Sequence, residues 1–143
     1  ATAHAFFDLP LEEKQTVAVN SHHRGFIRIG EAKMYASAKV DLKESFVWGL
    51  DVEADDADYL AGNKMIGPNR WPDALPGMRA QLVGYMDACN RLGIRLLKAF
   101  ATSLGIERDY FVHRFDRPRC RQADIAVFVE QPRVVAARGG IGG

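Results

Sequence analysis

The stretch PGMRAQLVGYMDACNRLGIRLLKAFATSL, residues 76–104, decides the architecture. Apolar side chains recur at Leu82, Tyr85, Met86, Cys89, Leu92, Leu96, Leu97, Phe100 and Leu104, in steps of three and four. That spacing puts them on one face of a helix. Arg79, Asp87, Asn90, Arg91, Arg95, Lys98 and Thr102 fall mostly on the other side. Gly105 is suited to end the helix in a left-handed turn. At ~1.5 Å per residue the helix runs roughly 40 Å. That is long for 143 residues, so it is expected to be the backbone of the core. Leu96 and Phe100 are expected to be buried on its inner face, with Arg91 and Arg95 exposed.

Upstream, Gly62, Gly67, Pro68, Asn69, Pro72, Pro76 and Gly77 mark a loop, in which Trp71 is locked by the proline that follows it. Asp51, Glu53, Asp55, Asp56 and Asp58 form a solvated acidic loop. It lacks the central Gly and closing Glu of a calcium loop. Asp41 with Glu44 three residues on reads as an acidic relative of the capping box, hence a helix start. His22–Gly30 alternates weakly between glycines and reads as a short strand or half a hairpin. Ala3–Phe7 reads as the interior of a helix, and Pro10 opens another, with Glu12 and Glu13 at its positive end. Downstream, Asp109–Val112 is expected on a short helix, and Ile125–Val129 is a β-branched run expected to be a buried strand. The chain starts at Ala1 in mid-helix and stops on the glycine-rich Arg138–Gly143. A fragment of a longer protein is therefore expected.

Composition narrows the class without naming an activity. Hydrophobic residues make up 48% and charged residues 26%, which excludes disorder, collagen-like repeats and a disulfide scaffold. One domain fits this length. Nineteen basic against eighteen acidic residues give +1, so charge makes no case for a nucleic-acid or membrane partner. No apolar run reaches the ~20 residues of a spanning helix, and none resembles a signal peptide. A soluble, cytoplasmic protein is expected, with Cys89 and Cys120 as idle thiols.

The usual catalytic patterns are absent. His22 and His23 are adjacent and would point to opposite faces of a strand. His4 and His113 add no H-x-D or H-E-x-x-H pattern, so no metal site is expected within this chain. There is no nucleophile elbow, P-loop or dinucleotide fingerprint. Arg108, Arg114, Arg117, Arg119 and Arg121 form a basic stretch. With Phe111 and Phe115 expected to face the core, it reads as solvated surface ion-paired to Asp109 and Asp116 rather than a phosphate-binding interface.

The ordered landmarks are more specific than any one of them. They are Phe6-Phe7-x-Leu9-Pro10-x-Glu12-x-Lys14, His23-Arg24-Gly25-Phe26, Asp41-x-Lys43-Glu44-x-Phe46, Asn69-x-Trp71-Pro72, Leu75-Pro76-Gly77-x-Arg79, Leu96-Leu97 and Tyr110-Phe111. In this order and spacing the chain resembles the N-terminal region of the isopenicillin N synthase-like family of non-haem iron(II) oxygenases, most of them 2-oxoglutarate-dependent. The resemblance implies an α+β fold: a helical N-terminal lobe with a long backbone helix and a short hairpin, leading into a double-stranded β-helix (jelly-roll) barrel that this chain lacks. It implies residues 1–121 as the lobe, and 122–143 as the first strand and lead-in to the absent barrel. The strand at 125–129 is then expected to find its sheet partners beyond Gly143.

The resemblance also implies a parent enzyme that oxidises a small molecule with Fe(II) and 2-oxoglutarate. The family's iron triad (H-x-D and a distal His) and its R-x-S motif are not in this chain. No catalytic or metal residue is therefore assigned here, and the chain alone is expected to be inactive and to bind neither cofactor. A Tyr-Pro pair frequent in relatives is replaced by Phe128-Val129-Glu130, which leaves the register of residues 122–143 open. Gly25-Phe26 and Gly30-Glu31 look similar to the bacterial ethylene- and succinate-forming branch. There a glutamate helps hold a substrate arginine; the aligned position here is Ala32, beside Glu31, which argues against arginine as the substrate. Arg24 and Glu31 remain as the substrate-pocket candidates. The rival reading is a non-catalytic binding module that keeps the lobe without the barrel.

Overall fold

The computed structural model describes residues 2–32, 42–115 and 122–128. Asp41, Asp116, Arg117, Arg119, Cys120, Arg121, Val129 and the Arg138–Gly143 end lie outside the described residues. The elements run α1 (Thr2–Phe7), α2 (Leu11–Gln15), β1 (Gly25–Ile27), β2 (Lys43–Gly49), α3 (Ala57–Leu60), α4 (Met78–Ser103), a 3-10 turn (Val112–Arg114) and β3 (Gln122–Phe128). This is a mixed helix-and-strand lobe, as expected.

The three strands form one antiparallel sheet in the order β1-β2-β3. Its register sets Phe26 opposite Phe46, and Phe46 opposite Ile125, in one row across the sheet. Phe6 of α1 lands on that row. Its ring lies edge-on to Phe46 at 4.8 Å, to Phe7 at 5.3 Å and to Phe26 at 5.9 Å, the geometry the ring quadrupoles favour. Val17, Trp48, Met78, Leu82 and Met86 complete the cluster, with Trp71, Leu75, Leu9 and Ile125 packed against it.

Two sequence expectations fail on the sheet. The capping-like Glu44 does not start a helix; it sits in β2, which is buried from Ser45 through Gly49 on both faces. The aromatic and β-branched run Phe46-Val47-Trp48 fits a central strand, and two partners supply the ladder bonds that a cap would only begin to satisfy. β3 also does not wait for partners beyond Gly143, because it pairs with β2 along all seven of its residues.

Behind β1 the chain at Val17–Val19 runs close enough for two backbone bonds, Phe26 N–H to Val17 O and Val19 N–H to Phe26 O, both 2.8 Å. Gly25 makes that approach feasible. At its φ of 118° a Cβ would fall 2.3 Å from the Val17 carbonyl oxygen, so the Arg-Gly-Phe landmark has a backbone cause.

α4 forms as the periodicity predicts and ends where Gly105 takes φ 69°. The burial does not follow prediction. Leu82 and Met86 are 7% and 8% exposed, whereas Leu96, Phe100 and Leu104 are 51%, 61% and 67% exposed. The apolar face is real, but the core covers Leu82 and Met86 in its N-terminal half while Tyr85 there stays exposed, and in the C-terminal half of the helix the small Ala101 is buried. Arg91 and Arg95 are exposed as expected, and Phe115, expected inward, is also exposed. Among the described residues no helix is long and apolar enough to cross a membrane.

Candidate functional site

The turn before β1 is built around Asn20. Its side-chain oxygen accepts from the backbone N–H groups of His22 and Arg24, at 3.0 and 3.1 Å, an Asx arrangement suited to a reversal. His23 takes φ 55° there. The turn drives Arg24 inward until it is fully buried.

Inside, Arg24 finds carbonyls rather than a carboxylate. Nη1 donates to His22 O at 2.9 Å and His23 O at 3.2 Å, and Nη2 donates to Met65 O at 2.7 Å. Nε is buried without a partner among the described residues. Burial lowers the guanidinium's pKa from its ordinary value. The group lies flat on Gly49, where a Cβ would fall 2.1–2.5 Å from guanidinium atoms. Arg24 therefore ties the 20–24 turn to the 63–67 loop across the end of β2.

Glu31 sits at the other end of β1 in a different environment. It is exposed, its Oε2 accepts from Arg28 N–H at 3.1 Å, and its own N–H donates to Arg28 O at 3.1 Å. The turn it closes places Gly30 at φ 84°. The two pocket candidates are thus not brought together: one is a clamp in the interior, the other a solvent-facing carboxylate.

Three polar connections went unread in the sequence, and each holds an end of the lobe. Asn69 mimics a strand partner for the last residue of β2: Gly49 N–H donates to its Oδ1 at 2.8 Å, and its Nδ2 donates to Gly49 O at 3.2 Å and Asp51 Oδ1 at 3.1 Å. Arg70 donates to Thr16 O and Ala18 O, both at 2.8 Å. Lys14 Nζ, buried, donates to Phe7 O at 3.0 Å and pairs with Glu44 at 3.0 Å. The Asn69-x-Trp71-Pro72 and Lys14 landmarks were the available signals, but periodicity assigns such residues no partner.

Among the described residues no three His, Cys, Asp or Glu side chains gather as a metal site. The described residues therefore do not fit the iron that the resemblance implies.

Comparison with known proteins places the lobe. Residues 1–74 match the family described as the N-terminal region of the non-haem dioxygenase in morphine synthesis. The chain is 36% identical over 126 residues to the proline hydroxylase buaE of Petromyces alliaceus, covering 82% of this chain and 34% of that one. It is 32% identical over 114 residues to the 2-oxoglutarate-Fe(II) type oxidoreductase hxnY of Emericella nidulans, covering 76% and 33%. Its fold matches a Caulobacter crescentus protein assigned to the 2OG-Fe(II) oxygenase family with a TM-score of 0.65 at 30% identity, over 78% of this chain and 35% of that one. The chain spans about a third of the length of the curated relatives it matches. By these matches the chain belongs to the isopenicillin N synthase-like family of non-haem, 2-oxoglutarate-dependent iron(II) oxygenases, whose N-terminal region it represents.

Proposed function

We propose that the whole protein is an Fe(II)- and 2-oxoglutarate-dependent oxygenase acting on a small molecule, and that this chain supplies the lobe that supports its catalytic barrel. The observation that carries the reading is the bare half of α4. Leu92, Leu96, Phe100 and Leu104 are more than half exposed in one continuous row, a face that soluble proteins keep for a partner. The relatives have roughly twice the matched length again outside the matched region, and a barrel built there is the natural cover.

Residues 1–121 would be the lobe and 122–143 the first strand and lead-in, of which Gln122–Phe128 is hydrogen-bonded to β2. When bound, the iron and 2-oxoglutarate would supply the oxidising chemistry from the barrel. This chain's part is to hold one wall. Glu31, exposed at the end of the turn after β1, is the side chain this wall would offer to the substrate pocket. Arg24 acts on that wall only through the backbone it clamps.

The test is succinate formation from 2-oxoglutarate with iron(II) and ascorbate. The 143-residue chain is compared with the same chain extended by its own downstream coding sequence. The reading expects background from the chain and turnover from the extended form. Succinate from the chain alone would overturn the assigned inactivity. A downstream sequence that encodes neither H-x-D nor R-x-S would overturn the parent enzyme and leave a binding module.

A further inference from the structure

Behind the apolar face of α4 lies a second feature that the oxygenase reading does not use. A groove of about 520 Å³ is lined by Arg95, Lys98, Ala99, Thr102 and Arg108. Lys98 is two residues from both Leu96 and Phe100, roughly 200° around the helix. A cover on the apolar stripe therefore leaves this groove open.

The chain reversal after α4 builds it. Gly105 N–H donates to Thr102 O and Ile106 N–H to Ala101 O, both at 3.1 Å, so residues 105–109 return alongside the last turns of the helix. Lys98 Nζ holds Asp109 Oδ1 at 2.7 Å and pins that return. Arg108, one residue before the pin, thereby lines the same groove as Arg95. Both arginines are exposed, and among the described residues neither has a carboxylate partner. Thr102 has already given its hydroxyl proton to Lys98 O at 3.0 Å, so the guanidinium groups are the free donors.

In the same return Glu107 Oε1 accepts from the Asp109 N–H at 3.2 Å, and Asp109 is the carboxylate that Lys98 holds. It is held below the usual carboxylate range, first by its hydrogen bond to Lys98, with the charges of Arg108 and His113 acting in the same direction. One cation is thus neutralised and two are not. Guanidinium groups match oxyanions in a two-pronged geometry, and the volume suits a small molecule.

We propose that this groove binds a small-molecule dianion, a phosphate compound or a di- or tricarboxylate, through Arg95 and Arg108. The site stands apart from the oxygenase reading and does not depend on it.

Calorimetry on the 143-residue chain at low salt tests this with inorganic pyrophosphate, citrate and, as a monoanion control, acetate. NMR of the arginine Nε–H groups reports the location. The expected result is saturable binding of pyrophosphate or citrate but not acetate, weakened by added salt, with the Arg95 and Arg108 signals shifting. Pyrophosphate ahead of citrate assigns a phosphoryl ligand; the reverse order assigns a carboxylate. Arg95→Gln and Arg108→Gln should each weaken binding about two- to fivefold, the scale of one exposed charge pair. Asp109→Asn breaks the pin that holds the return and should weaken binding as well, with no loss of helix by circular dichroism. Circular dichroism confirms that each variant is folded, and Arg108→Lys, which keeps the charge, should retain most of the binding. No saturable binding of either dianion, acetate binding as well as the dianions, shifts confined to other arginines, or Arg95→Gln and Arg108→Gln variants that bind as tightly as the parent would overturn the proposal.

Discussion

The two halves of α4 carry one apolar stripe in two surroundings. Met78, Leu82 and Met86 meet the ring cluster of Phe6, Phe26 and Phe46 and are buried. Leu92, Leu96, Phe100 and Leu104 continue the same steps of three and four and stay exposed. At about 1.5–3 kcal/mol per fully buried large apolar side chain, the four side chains of the bare half, each roughly half to two thirds exposed, forgo on the order of 3–7 kcal/mol of burial. That is a large fraction of the ~5–15 kcal/mol by which a whole domain is stable. Periodicity thus identifies a face, while the neighbours that the fold delivers decide whether it is covered. The difference between the halves measures what the lobe lacks by itself.

The largest expected effect is on the covered half. Phe6 touches three rings, so Phe6→Ala should cost about 3–5 kcal/mol in urea unfolding. A cost below about 1 kcal/mol would mean that the ring cluster does not organise this end of α4.

Next is the wall behind the cluster. Gly49→Ala puts a methyl where the Arg24 guanidinium lies, an overpacking worth about 1–3 kcal/mol. If Arg24 is the clamp described, Gly49→Ala and Arg24→Ala together should cost clearly less than the sum of the two alone. Simple additivity would break that link.

The bare half should respond mainly at its end and on its surface. Gly105→Ala, forced into φ 69°, should cost about 1 kcal/mol and fray the last turn by hydrogen exchange. Phe100→Glu should change stability by less than about 0.5 kcal/mol while reducing self-association in light scattering, because it interrupts the exposed stripe.

The smallest effect concerns pH. Asp109 has its carboxyl lowered mainly by Lys98, so whatever it contributes is complete above the unfolded value near ~3.9. It is lost only as pH falls through the lowered folded value. Amide exchange at residues 105–110 should therefore show the same protection at pH 7 and pH 5 once corrected for intrinsic rate. A loss of protection already at pH 5 would show that the Lys98–Asp109 pair does not hold this turn.

What the sequence conveyed follows the same division between local and distant causes. The extent of α4 was legible because its spacing and Gly105 are local signals, and β3 was legible from its β-branched run. β2 was not, because Glu44 spaced three from Asp41 imitates a cap more loudly than Phe46-Val47-Trp48 announces a strand. The role of Arg24 was invisible, since Met65, which accepts its 2.7 Å bond, lies 41 residues away. Half of the stripe was misjudged for the same reason: nothing at Leu96 itself says what lies opposite.

One paired measurement tests the account most directly: the stability cost of Leu82→Ala and Leu96→Ala, in the 143-residue chain and in the form extended by its downstream sequence. Leu82→Ala should cost about 2–5 kcal/mol in both. Leu96→Ala should cost less than about 0.5 kcal/mol in the chain and rise to about 2–5 kcal/mol in the extended form. Equal costs for the two substitutions in the chain, or no rise for Leu96→Ala on extension, would contradict it.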